Sequence, residues 1–230
     1  MIGIICALKI EVDGLKALME NPEVTQKAGL EFISGKIFGK DVTLLECGRG
    51  KVNAAVGTQI MIDFFKPEVI INSGIAGSLT KNLIIGDIVI SSDCVEHDIN
   101  CTALEEPKGQ IWLPNEKRID IPADKATCEK LADCCRSIGV KVNIGRVASG
   151  DLFVVYRRQR ETIAFEFEAL CCEMEGGAVG HVCYMNKVPF AIIRSISDDF
   201  KFNKPENYEE FSQLAADRTV RVLKKFIQLD

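Results

Sequence analysis

The sequence predicts a layered α/β fold whose ligand crevice lies at the carboxyl ends of its strands. Short β-branched apolar runs alternate along the chain with segments of helical periodicity. One such run, residues 188–193, breaks abruptly into Arg194-Ser195-Ile196-Ser197-Asp198-Asp199, the pattern of a buried parallel strand opening onto a crevice. A second acidic cluster, Glu173-Met174-Glu175-Gly176-Gly177, stands one short helix upstream.

Residues 1–6 are a short apolar strand, after which Val12, Leu15, Leu18 and Met19 recur at helical spacing, with Glu11 at the junction. Residues 31–37 and 41–47 form two strands around Phe38-Gly39-Lys40, an antiparallel hairpin. Residues 51–65 are a helix with Val52, Ala55, Val56, Ile60 and Phe64 on one face, stopped by Pro67. Two further strands, 69–72 and 86–91, flank a glycine-rich turn from Asn72 to Ser78. Asp124 caps a helix running to Ile138, and residues 140–148 return as a strand. Helices follow at 158–168, 175–185 and 208–229, the last with Phe211, Leu214, Ala215, Val222, Phe226 and Leu229 in phase.

At 230 residues, 47% hydrophobic and 27% charged, the chain can bury one substantial core, and no Pro- or Ser-rich linker divides it, so residues 1–230 are expected to form a single domain. A net charge of −5 and a pI near 5.3, with Lys and Arg dispersed, exclude a nucleic-acid partner. No apolar stretch reaches the roughly 18 to 20 residues of a membrane span, and no secretory signal opens the chain, so a soluble, cytoplasmic protein is expected. Of the ten cysteines, Cys6, Cys47 and Cys94 fall in or beside strand-like runs and Cys128, Cys134, Cys135 and Cys183 in helical ones, no C-x-x-C pair exists, and most of the ten are expected to be small buried hydrophobes. Two histidines, His97 and His181, are too few for a His-based metal site, and His181 is expected to be a packed core residue.

Five strand ends offer polar or glycine-rich turns: Glu11, Gly48-Arg49-Gly50, Gly74 to Gly77, Ser149-Gly150-Asp151 and Asp198. The ordered set Gly3-Ile4-Ile5, Glu11, Gly50-Lys51-Val52-Asn53-Ala54-Ala55, Asn72-Ser73-Gly74-Ile75-Ala76-Gly77, Gly86-Asp87-Ile88-Val89, His97-Asp98, Ser149-Gly150-Asp151, Glu173-Met174-Glu175 and Ser195-Ile196-Ser197-Asp198 resembles the 5'-methylthioadenosine/S-adenosylhomocysteine nucleosidases across nearly the whole chain. That resemblance implies a nucleoside phosphorylase-like fold, a three-layer α/β/α sandwich around a central mixed β-sheet, and a homodimer.

Breaking a purine N-glycosidic bond expels a poor anionic leaving group, so an acid must protonate the base while the sugar becomes oxocarbenium-like. The resemblance places Asp198 as that acid and Glu11 as the base for the attacking water. It gives Glu175 to the ribose diol, with Glu173 as a less certain neighbour and Met174 beneath the sugar. Phe153 matches an adenine-stacking ring, Val154 reads the purine edge through its backbone, Ser197 orients Asp198, and Ala76 and Gly77 are counted among the substrate-binding residues, with a plain tight turn as the competing role for Gly74 and Gly77. Leu8, Tyr208 and Phe211 are the apolar candidates for the 5' substituent, with Leu104 reaching across from a partner subunit. The resemblance implies no metal or organic cofactor. Each residue has a bland competitor: Asp198 as a turn cap, Glu11, Glu173 and Glu175 as solvated helix starts, the aromatics as core.

Arg49 departs from the resemblance, since those nucleosidases usually carry an apolar residue there. A guanidinium is an anion binder, which keeps open phosphorolysis by phosphate, contact with an anionic part of the substrate such as a homocysteine carboxylate, and a plain salt bridge. A catalytically silent nucleoside-binding protein is the rival from another class, opposed by the joint presence of Glu11, Glu175 and Asp198. A dinucleotide-binding oxidoreductase is excluded because Gly3 stands alone where a G-x-G-x-x-G would follow the first strand.

Overall fold

The apolar runs form strands that bury alternate residues on opposite faces of one mixed sheet. The computed structural model describes residues 1–198, 200 and 208–229. In chain order the elements are β1 (Ile2–Cys6), α1 (Lys9–Lys16), β2 (Glu20–Lys27), β3 (Leu30–Ile37), β4 (Lys40–Glu46), α2 (Lys51–Phe65), β5 (Val69–Ser78) and β6 (Ile88–Glu96). There follow β7 (Ile111–Leu113), β8 (Glu116–Arg118), β9 (Asp120–Pro122), α3 (Lys125–Ser137), β10 (Val142–Ser149), α4 (Arg157–Phe167), β11 (Cys171–Glu173), α5 (Gly176–Asn186), β12 (Phe190–Asp198) and α6 (Tyr208–Leu229).

The main sheet runs β11-β10-β6-β12-β5-β1-β4-β3-β2, with β9 beside β6. Its centre is parallel, β12 on β5 and β5 on β1, as the continuous apolar run of β12 requires. One end curls until β11 also pairs antiparallel with β5, so strands β5, β12, β6, β10 and β11 close on themselves. That closure gathers the carboxyl ends of β5, β10, β11 and β12 around one hollow.

Helices cover both faces, giving the sandwich. Ile2, Ile4, Ile71, Ala191 and Ile193 pack with Val12, Leu131 and Phe226 from α1, α3 and α6. The alternate residues Ile5, Ile70, Ile192 and Ile196 pack with Ala54 and Met61 of α2 and Val179 and Cys183 of α5. A smaller cluster seats α4 through Ile163 and Phe167.

Several expectations need correcting. Residues 74–77 are not a turn: β5 continues through Ser78 because β12 and β11 pair with it as far as Gly77 and Ser78. Strand β2 was unread, since its polar sequence carries no alternation; it is an exposed, charged edge held by antiparallel pairing to β3. On α2 the stripe of Val52, Val56 and Phe64 faces outward, 73%, 42% and 59% exposed, and the small residues Ala54 and Gly57 face in, where a Cβ on Gly57 would stand 2.4 Å from a Leu45 methyl. On α6, Leu214 and Leu229 are exposed although in phase with the buried residues.

All ten cysteines are free, nine of them buried. His181 is only half-buried, and its Nδ1 lies 2.8 Å from Glu96 Oε1, so it is not the packed core residue expected. No helix among the described residues is long and apolar enough to cross a membrane.

Candidate active site

The curled end of the sheet encloses a cavity of about 360 Å³ lined by Leu8, Glu11, Arg49, Ala76, Gly77, Phe153, Val154, Glu173, Met174, Glu175, Ser197 and Asp198, with Ala7, Ile75, Leu152 and Cys172. Twelve residues picked out in the sequence therefore share one hollow. Phe211 does not join it and is half-buried elsewhere, Leu104 is 73% exposed and lines no part of its own subunit's cavity, and the side chain of Tyr208 lies outside the described residues.

Glu11 sits in the first turn of α1 and is 2% exposed. Its Oε2 accepts from the backbone N–H of Ala7 at 3.0 Å and of Leu8 at 2.9 Å, and its Oε1 accepts from Ile75 N–H at 3.1 Å. Oε2 thus has both lone pairs occupied, whereas Oε1 keeps one free for a further donor. The approach to β5 is close because residue 74 is glycine: a Cβ there would stand 2.8 Å from Oε1. Burial raises the Glu11 carboxyl above the usual carboxylate range, against the opposing pull of Arg194 and the three N–H groups.

Glu175 caps α5 and accepts from Gly50 N–H at 2.9 Å through Oε1. Burial and the neighbouring Glu173 charge push it up to about 7. Glu173 behaves oppositely. Burial opposes its charge, but Arg194, the Ser149 hydroxyl and the N–H of Gly176 at 2.8 Å outweigh that and hold it below the usual range. Arg194 lies in the middle of β12, fully buried, and its remaining donors reach Asn72 Oδ1 and the carbonyls of Asn72 at 3.1 Å and Ile193 at 3.2 Å. Glu175 Oε2 is 4.0 Å from the same guanidinium. One arginine therefore serves two carboxylates, and the one it grips less closely keeps its proton to higher pH.

Asp198 is the last residue of β12 and is 3% exposed. Ser197 Oγ donates to its Oδ1 at 2.9 Å, and Arg160 of α4 is ion-paired to its Oδ2. Gly77 permits the approach to β5, since a Cβ there would stand 3.0 Å from Oδ2. The loops around the mouth are tied together by Lys51 N–H on Asp151 at 2.8 Å, Asp151 N–H on Asp98 at 2.8 Å and Lys51 Nζ on Glu96 at 2.9 Å. Arg49 sits between Gly48 and Gly50, both at positive φ, and is the single cationic residue lining the cavity among those described.

Arg194, Asn72 and Arg160 were not picked out in the sequence as site residues, and Ser149 was picked out only as part of a polar strand end. Arg194 left a signal, a charge inside a buried strand, which demands partners. Arg160 left none, because it stands in an Arg-Arg-Gln-Arg run that reads as a solvated face. Among the described residues no group of three or more His, Cys, Asp or Glu is arranged to hold a metal ion.

The curled mixed sheet and the carboxylate-lined hollow define a nucleoside-processing α/β protein, and the chain belongs to the phosphorylase superfamily, whose family model matches residues 1–228. Within it, the chain falls in the 5'-methylthioadenosine/S-adenosylhomocysteine nucleosidase family: it is 39% identical over 218 residues to that nucleosidase from Shewanella halifaxensis, covering 91% of each chain. The Neisseria meningitidis nucleosidase in complex with methylthio-immucillin-A superposes with a TM-score of 0.92 at 31% identity, over 100% of this chain and 99% of that one. Futalosine hydrolase of Helicobacter pylori matches equally well, with a TM-score of 0.92 at 29% identity over 100% and 97% of the two chains.

Proposed function

We propose that the protein hydrolyses the N-glycosidic bond of 5'-methylthioadenosine and S-adenosylhomocysteine, releasing adenine and the thioribose. The observation that carries this is the pairing of Glu11 and Asp198 in one cavity, beside Ile75 and Gly77 of the same strand. Two residues of strand span about 7 Å, enough for a sugar with water at one carboxylate and the base at the other. Asp198 gives its proton to the purine as the bond electrons pass to the base. Glu11, through the free lone pair of Oε1, takes a proton from the water that attacks the sugar. Glu175 Oε2 has no hydrogen-bond donor among the described residues and is available to the ribose hydroxyls. Phe153 stacks on the base, and the family resemblance supports water as nucleophile.

Phosphorolysis is the second reading, favoured by Arg49 alone. A phosphate dianion needs several cations, and here it would meet the Glu11 carboxylate at the attack position. The test is the sugar product with and without inorganic phosphate. Free thioribose in both conditions selects the hydrolase, and a sugar 1-phosphate overturns it. Asp198→Asn should retain substrate and lose turnover by about 100-fold or more.

The reading includes a cytoplasmic homodimer. The outward stripe of Val52, Val56 and Phe64 supports a second copy, the exposed Leu104 supports a contribution to that copy's site, and ten free thiols support a reducing compartment. Sedimentation at micromolar concentration checks the first point, and a monomer would remove it.

A further inference from the structure

We propose that Arg160 is a positioning residue for the leaving-group end of this reaction, fixing which oxygen of Asp198 delivers the proton and stabilising the carboxylate left behind. The inference rests on the hydrolytic reading and adds to it a residue that does not touch the substrate.

Arg160 stands on α4, outside the cavity lining, and is 1% exposed. Its Nη2 pairs with Asp198 Oδ2 and also donates to the Val154 carbonyl at 3.2 Å, while Nη1 reaches the Ser78 carbonyl at 3.5 Å. Those three partners belong to the end of β12, the loop carrying Phe153 and Val154, and the end of β5. A planar guanidinium with five donors can hold all three in one geometry, which an ammonium cannot. The acid and the backbone that faces the base are thereby fixed relative to one another.

Oxygen occupancy decides the direction of transfer. Oδ2 is committed to Arg160, and Oδ1 meets only the Ser197 hydroxyl among the described partners. The transferable proton therefore sits on Oδ1. As the O–H bond breaks, the purine nitrogen gains the proton, the glycosidic electron pair goes to the base, and Asp198 becomes a carboxylate. A guanidinium keeps its proton in proteins, so Arg160 offsets that new charge in a dry setting. Other groups facing Asp198 are Cys172 of β11, whose thiol is pushed up to about 12 by burial and by Asp198, and the backbone of Gly77.

A structural ion pair anchoring α4 would give the same coordinates, so the test compares leaving groups. Arg160→Gln and Arg160→Lys are assayed on 5'-methylthioadenosine and on the 4-nitrophenyl glycoside of the same thioribose, whose leaving group departs without protonation. The Gln variant should lose about 100-fold in kcat on the adenine substrate with little change in KM, and at least tenfold less on the nitrophenyl glycoside. The Lys variant should recover part of the loss. In an Asp198→Asn background, Arg160→Gln should cost nothing further on the adenine substrate. Equal losses on both substrates, or an additive loss in the double variant, overturn the proposal. The ratio between substrates does not depend on the fraction folded, and the Lys variant supplies it if Gln fails to fold. Adenine release by the wild type, measured alongside, separates failure of this inference from failure of the hydrolytic reading.

Discussion

The two ends of the cavity, the proposed sugar end at Glu11 and Glu175 and the proposed base end at Asp198, are charged in different ways. At the sugar end three carboxylates, Glu11, Glu173 and Glu175, converge on elements of the sheet, with one buried cation, Arg194, close to them. At the base end one carboxylate, Asp198, has its own cation, Arg160, and borders a loop whose Leu152 and Phe153 are about half exposed. Positive charge is outnumbered at the first end and matched at the second. The consequence is chemical: where cations are short, burial raises carboxyls above their usual range, as at Glu11 and Glu175, whereas the guanidinium beside Asp198 offsets the charge that giving up a proton leaves behind.

Arg194→Met is the largest blow to this contrast. It strands Glu173 without its main partner and removes the attraction felt by Glu11 and Glu175, so unfolding free energy should fall by about 3–5 kcal/mol. Urea denaturation followed by circular dichroism measures it. A smaller loss for Arg194→Met than for Arg160→Met would break the comparison, because the shared cation would then matter less than the dedicated one.

Glu175 sharpens the comparison through pH. Its carboxyl, ordinarily near 4.5, is pushed up to about 7, so the folded protein holds a proton there that the unfolded chain has released. Such a group contributes stability below about pH 4.5 that is lost as pH rises through 7. A shift of that size corresponds to about 3 kcal/mol at most. Glu175→Gln should accordingly look more stabilising, relative to wild type, at pH 8 than at pH 5. Activity runs the other way. The ribose hydroxyls need an ionised acceptor, so kcat/KM should drop as pH falls through about 7, and the Gln variant should lack that limb while working less well at pH 8. A wild-type profile flat from pH 6 to 8 would sink the assignment.

The two ends were also unequally legible in the amino-acid sequence. The switch from apolar residues to Ser197-Asp198 at the end of β12 and the Glu173-Met174-Glu175 cluster could be read directly, since strand ends in layered α/β folds point at crevices. Periodicity located most helices, and Asp124 caps α3 as anticipated by accepting from Thr127 N–H at 2.8 Å. What failed had local causes. Helix α2 is apolar on nearly every side, so its pattern cannot say which side faces the sheet. Strand β2 is polar throughout, and only register against β3 holds it. The continuation of β5 through Gly74 and Gly77 depends on partners in β11 and β12, far away in sequence, and there two glycines make room for carboxylates rather than for a bend. Arg160 illustrates the same limit, because nothing near it distinguishes a buried clamp from its solvated neighbours.

The mouth of the cavity gives the smallest expected effect and bears on what the site accepts at the 5' position. Arg49 is exposed, makes no side-chain hydrogen bond or ion pair among the described residues, and is held in place through its backbone: Asn53 Nδ2 donates to its carbonyl at 2.8 Å and Gly50 is anchored by Glu175. A cation fixed at the entrance of an otherwise acidic cavity should favour substrates whose 5' substituent carries a carboxylate. Because the site is open to solvent, the preference should be modest, roughly two- to fivefold. Arg49→Ile should therefore lower kcat/KM for S-adenosylhomocysteine by that factor and leave the value for 5'-methylthioadenosine nearly unchanged. In the wild type the ratio of the two should shrink between 20 mM and 500 mM salt, since screening at the higher ionic strength reaches within contact distance of an exposed pair. If the variant lowers both substrates equally, Arg49 shapes the loop rather than the specificity.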